Sequence, residues 1–259
     1  LILLTQNSEL RADHVWNWTL PAWVVKREGK GFNVCPSAGA CTQLCYARNG
    51  TYLFPQVKAA HMRNLDLVID ELPKWKMIMI GELGSDQFRP NYVPRFTDLD
   101  LDPDPWAAEW MKRGGAAIRI HDSGDFFSDE YLQAWLDIAD LFPDVLFYTY
   151  TKEVPRFRRM VQGLAPTNFR WLFSMGGKHD HLLDKDKDRH AEVFPTLEAV
   201  VDAGYLDQTA SDLLAVLLPT TRIGIPANNI PHFKKKMGSN TFGEMQVARN
   251  VHKKQEADT

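Results

Sequence analysis

Cysteine is scarce in this chain, with three residues among 259. An odd number cannot close into a full set of disulfides, which argues against a disulfide-built scaffold. Long apolar runs are also missing, and none approaches the roughly 20 residues that a membrane-spanning helix needs. The first residues carry no charged-then-apolar leader pattern. The chain opens on Leu1 rather than methionine, so a trimmed start is expected. Neither sign of charge dominates: 30 Lys and Arg against 33 Asp and Glu leave a net charge of −3. That balance does not point to bulk nucleic-acid binding. The signatures G-x-S-x-G, H-E-x-x-H and G-x-G-x-x-G are absent. Gly176-Gly177-Lys178 lacks the upstream glycine of a phosphate loop. The remaining composition, 44% hydrophobic and 24% charged, is that of an ordinary globular protein.

The few cysteines that exist are not scattered. Cys35, Cys41 and Cys45 fall in one stretch with the spacing C-x5-C-x3-C. Thiolates are soft ligands, and three together suit a soft metal or an iron–sulfur cluster. A four-iron cluster on three cysteines leaves one iron open to a fourth ligand. Structural zinc would also need a fourth ligand, and its usual knuckle spacings are not found here. Three thiols without metal are the remaining alternative. Gly39 and its small neighbours Ser37, Ala38 and Ala40 let backbone pass close to a bulky inorganic group. Clustered cysteines also fit a reducing cytoplasm.

Along the chain, Val15 to Leu20 alternates as a short strand stopped at Pro21. Pro55 opens a helix whose Val57, Ala60, Leu65, Val68 and Leu72 share a face, and Pro73 ends or kinks it. Trp75 to Ile80 fits either helix or strand. Residues 86–105, rich in proline and aspartate, are expected to be a long surface loop. From 116 onward the pattern becomes regular. Strands are expected at 116–121, 145–150, 169–173 and 221–225. Helices are expected after Ser128, over 154–162, over 195–203 and over 209–217. Such strand–helix alternation predicts a parallel sheet covered by helices. The fold expected is a single α/β barrel-like domain over 1–231, a partial or complete (β/α) barrel, with a basic extension over 232–259. Lys234-Lys235-Lys236 and Lys253-Lys254 make that extension basic, and it is expected to be solvated.

In parallel sheets, function gathers past the carboxyl ends of the strands. Those ends carry His121, Asp122, Ser123, Asp125, Thr151, Lys152, Ser174 and Asn228. The loop Ser123-Gly124-Asp125 is the most distinctive of them. Lys178-His179-Asp180-His181, with His190 nearby, has the look of a chelate, but its charged surroundings favour an exposed loop.

Cys35 to Ala47, Arg63-Asn64, Ile118 to Phe127 and Phe147 to Lys152 resemble the phage "gene product 88" family, known mainly from mycobacteriophages. The resemblance spans most of residues 30–225 and implies a phage protein working in the cytoplasm of an infected bacterium. Some relatives carry further cysteines near the C-terminus, and this chain has none there. A more distant likeness is to radical S-adenosylmethionine enzymes, which hold a four-iron cluster on three cysteines in a partial α/β barrel. Their usual C-x3-C-x2-C differs from the spacing here.

Two readings follow. In the first, Cys35, Cys41 and Cys45 hold a [4Fe-4S] cluster whose open iron takes a small molecule, with S-adenosylmethionine implied by the likeness. Ser123, Gly124 and Asp125 would hold its amino group, and Lys152 or Ser174 its carboxylate or ribose. Turnover stays open. In the second, the cluster is structural or redox-sensing, His121 or Asp122 supplies the fourth ligand, and the protein binds a host partner. A zinc hydrolase using His121 and Asp125 is a third alternative. No membrane contact is expected, and nucleic acid is indicated only by the weakly basic tail.

Overall fold

The computed structural model describes residues 1–89, 103–227 and 231–257. Much of the expected 86–105 loop, and Asn228, lie outside the described residues.

The chain begins with α1 (Ser8–Arg11), β1 (Val15–Trp18) and a hairpin of β2 (Val24–Arg27) and β3 (Lys30–Asn33). The cysteine loop follows, with only short 3-10 turns. Then come α2 (Pro55–Asp70), α3 (Leu72–Leu83) and α4 (Pro105–Arg113). A regular alternation runs through β4 (Ala117–Ile120), α5 (Asp129–Leu141), β5 (Leu146–Thr151), α6 (Val154–Met160), β6 (Phe169–Ser174) and β7 (His190–Phe194). It continues through α7 (Leu197–Asp202), β8 (Leu206–Asp207), α8 (Leu214–Leu217) and β9 (Arg222–Pro226). Two helices close the chain, α9 (Pro231–Met237) and α10 (Phe242–Ala257).

Seven strands form one parallel sheet in the order β1-β4-β5-β6-β7-β9-β8. Register places Asn17, Arg119, Tyr148 and Arg170 side by side, and Ile118 beside Phe147 and Phe169. The second row faces the larger core, where Trp18, Trp75, Trp135 and Phe157 from β1, α3, α5 and α6 meet with no exposure. Val200 of α7 fills the space where Gly224 of β9 lacks a side chain. The first row faces a smaller core closed at one end by α4 and α8. That face carries the polar residues.

Of the partial or complete barrel expected, the closed form is not found: among the described residues the sheet is open. Thr5 makes an antiparallel bridge to Asn17 on the outer edge of β1. At the opposite edge β8 is only two residues long. One edge is already bridged and the other is too short to meet it.

Ser128 caps α5 as expected, its hydroxyl accepting from the Tyr131 N–H at 3.2 Å. Trp75 to Ile80 lies inside α3, because Pro73 sits in the first turn, where its missing N–H costs nothing. No described helix is long and apolar enough to cross a membrane.

Candidate functional site

The cysteine loop is built over the carboxyl ends of β4, β5 and β6 by backbone groups. Gly176 C=O accepts from the N–H groups of Gly39 and Cys41, at 3.1 and 3.2 Å. Lys178 N–H donates to Ser37 C=O at 2.8 Å. Glu153, just beyond β5, accepts from the Ser37 N–H at 2.9 Å and from Arg156 at 2.7 Å. Burial pushes the Glu153 carboxyl up to about 7. The aspartate of the 178–181 stretch accepts from the N–H groups of Gly176 and Gly177, at 2.7 and 2.9 Å. Asp180 thus shapes the turn on which the cysteine loop rests.

In the C-terminal stretch, described over 231–257, Lys234, Lys235, Lys236, Lys253 and Lys254 are exposed as expected, but one face of α10 packs against the cysteine loop. Gln246 of α10 is only 2% exposed, and its Oε1 accepts from the Ala40 N–H at 2.6 Å. Arg249 donates to Gly39 C=O at 2.6 Å. The start of α10 is tied to the sheet by Glu192, whose Oε1 accepts from the Gly243 N–H at 2.8 Å. Among the described residues, the other oxygen of Glu192 has only Lys185, at 3.6 Å. Burial therefore pushes this carboxyl from the ordinary 4.5 up to about 7. The folded protein holds the proton more tightly than the unfolded chain, so ionisation costs stability as pH rises from about 4.5 to about 7. Glu192→Gln is expected to gain melting temperature relative to wild type across that window and to level off above it. A difference independent of pH would contradict this.

Ser123-Gly124-Asp125 connects β4 to this frame. Gly124 has φ +90, and a Cβ there would meet the Leu20 Cβ at 2.7 Å. Asp125 N–H donates to Val34 C=O at 3.2 Å, immediately before Cys35. The Asp125 carboxylate, 5% exposed, accepts from the Phe126 N–H at 2.8 Å, the Thr151 hydroxyl at 2.7 Å and the Lys152 N–H at 2.9 Å. Burial pushes its pKa up, against those hydrogen bonds. Ser123 donates its hydroxyl to Leu20 C=O. Lys152 Nζ lies 2.6 Å from Ser174 Oγ and donates to Ser174 C=O at 3.2 Å.

The three cysteines are free and half-buried, and all three line one cavity of about 730 Å³. Ser123, Gly124, Asp125, Lys152 and Ser174 line it too. Trp23 N–H donates to Cys35 Sγ at 3.3 Å. Burial raises the pKa of Cys35 and of Cys45, so both are protonated thiols when no metal is bound. Among the described residues, no three His, Cys, Asp or Glu side chains gather closely enough to hold one metal ion. The single-zinc alternatives therefore lack a formed site.

Of the two fourth-ligand candidates, His121 has left-handed backbone (φ 68) and places Nε2 2.8 Å from the Tyr131 hydroxyl. Its Nδ1 is buried without a hydrogen-bond partner among the described residues, and burial pushes its pKa down to about 3, so it is neutral. Asp122 accepts from the Tyr52 hydroxyl and lies 3.6 Å from Arg119. Both line the same cavity.

The comparisons with known proteins agree on one kinship. The model of the Gene product 88 family matches residues 2–255. Over 125 residues the chain is 30% identical to the gene 88 protein of Mycobacterium phage D29 and 28% identical to that of Mycobacterium phage L5. Each match covers 48% of this chain and 44% of the relative, so the chain spans less than half of the curated relatives it matches. No solved structure matches.

Proposed function

We propose, for a chain that belongs to the Gene product 88 family, that Cys35, Cys41 and Cys45 hold a [4Fe-4S] cluster with one iron turned to the cavity and open to a small molecule. The observation that carries this reading is the convergence of three free thiols on one cavity at the carboxyl end of a parallel sheet. The donor set suits the group. A single zinc would draw its sulfurs to about 2.3 Å from one point, whereas a four-iron cluster takes each cysteine on a different iron. Three soft sulfur donors on one cavity are the ligand type that such a cluster takes. The N–H aimed at Cys35 is of the kind that tunes a cluster's potential. Bound there, the cluster would supply one-electron chemistry.

The rest of the chain positions and encloses. Asp125, Thr151 and Glu153 fix the loop against β5, and α10 covers it from the other side. Lys152, held by Ser174, presents a cation to the cavity. The open-iron claim is tested by paramagnetic resonance of the reduced protein with and without S-adenosylmethionine. A signal that shifts on addition supports an iron open to that molecule. A signal that stays unchanged favours a protein-supplied fourth ligand, for which the orphaned Nδ1 of His121 is the specific candidate, and with it a structural or sensing role.

A further inference from the structure

The same cavity has a second polar centre on the sheet face that carries Arg119. Arg119 Nη1 lies 2.9 Å from Asp212 and 3.6 Å from Asp122. All three side chains are largely buried, at 19%, 16% and 12% exposure for Arg119, Asp212 and Asp122. Two carboxylates therefore share one guanidinium, and acceptor capacity is left over. Asp212 Oδ2 is taken by Arg119 and by the Tyr148 hydroxyl at 3.0 Å, but among the described residues its Oδ1 has only Gln208, at 3.4 Å. Asp122 Oδ2 is taken by the Tyr52 hydroxyl, but among the described residues its Oδ1 has only the distant Arg119. Each ionised carboxylate oxygen can accept about two hydrogen bonds.

Aromatic rings surround these oxygens. Tyr46 and Tyr52 meet edge-on with centroids 5.7 Å apart, and the Tyr150 ring lies under Arg119 at 5.4 Å. Carboxylate oxygens with unused acceptor capacity in a cavity recognise a cation through charge-assisted hydrogen bonds. The cavity volume lies in the range that encloses a small organic molecule.

We propose that Asp122 and Asp212 form a binding subsite for a small organic cation, a protonated amine carried on a flat apolar body. Arg119 engages both aspartates through Nη1 alone, and its buried Nε has no hydrogen-bond partner among the described residues, so phenylacetate is a necessary comparison in the test. The subsite shares the cavity of the cluster reading but uses no cysteine: its carboxylates lie just past β4 and just before α8.

The test is calorimetry on the protein as purified, with iron assayed on the same sample. Benzylamine is compared with benzyl alcohol, which has nearly its shape and no charge, and with phenylacetate. Benzylamine is expected to bind at least about tenfold tighter than either, a difference of about 1.4 kcal/mol. Asp122→Asn, with its fold checked by circular dichroism, is expected to erase that preference. Should the variant fail to fold, the ranking of the three probes on wild-type protein decides alone. Equal binding of the alcohol, preference for phenylacetate, or no heat from benzylamine at millimolar concentration overturns the proposal. Iron content separates this outcome from the fate of the cluster reading.

Discussion

Replacing Asp125 with alanine is expected to cost about 3–5 kcal/mol of folding stability, because it strands several buried donors at once. The carboxylate accepts from the Phe126 N–H, the Thr151 hydroxyl and the Lys152 N–H, all within 2.9 Å. Those groups would lose their partner together. Asp125→Asn keeps one carbonyl oxygen and should lie between the two, since its NH2 cannot accept from any of the donors. Denaturant unfolding of the three proteins measures this. A loss below about 1 kcal/mol in the alanine variant would mean that the carboxylate is reserved for a ligand rather than spent on the frame. The loop ahead of Cys35 should suffer as well, because Asp125 N–H bonds Val34 C=O.

The second large effect is expected at Gly39. A Cβ there would sit 2.0 Å from Gln246 Oε1 and 2.8 Å from Gly176 C=O. Gln246 is packed tightly and Gly176 C=O is backbone that also holds Cys41. Neither can give way cheaply. Overpacking of this kind typically costs about 1–3 kcal/mol, and here it falls on the contact between α10 and the cysteine loop. Gly39→Ala is expected to release α10, seen as protease cleavage within 231–257 under conditions where the wild type is intact. Unchanged cleavage would show that α10 does not depend on this contact.

The sheet was legible where apolar residues alternate with turn signals. Ala116 to His121, Val145 to Tyr150 and Phe169 to Phe173 show plain strand patterns, and each lies on or beside an observed strand. β7 was not legible, because His190 and Glu192 interrupt the apolar signal. Both are buried, and His190 is reconciled by bonds to Asp188 C=O and the Tyr205 hydroxyl, each at 2.9 Å. Such tertiary partners leave no periodic trace. Whether the sheet closes was undecided from the sequence for a similar reason: it turns on the bridge at Thr5 and on the brevity of β8.

The three cysteines announced themselves by spacing alone. The groups that hold their loop did not, because Glu153, Asp180 and Gln246 are 108 or more positions away from the last of them. Gly39 offered the one local hint of a close approach, and the approaching atom is Gln246 Oε1. The Arg119–Asp122–Asp212 centre was half visible, since Asp122 follows a strand end, whereas Asp212 reaches it from beyond β8.

The central claim is most directly tested by iron and acid-labile sulfide analysis of protein purified without oxygen, for wild type and for Cys35→Ser, Cys41→Ser and Cys45→Ser. The account predicts a brown wild-type protein with iron and sulfide in equal amounts, about four of each per chain, and a large loss of both in every serine variant. A colourless protein holding zinc and no sulfide, or iron retained in all three variants, would contradict it.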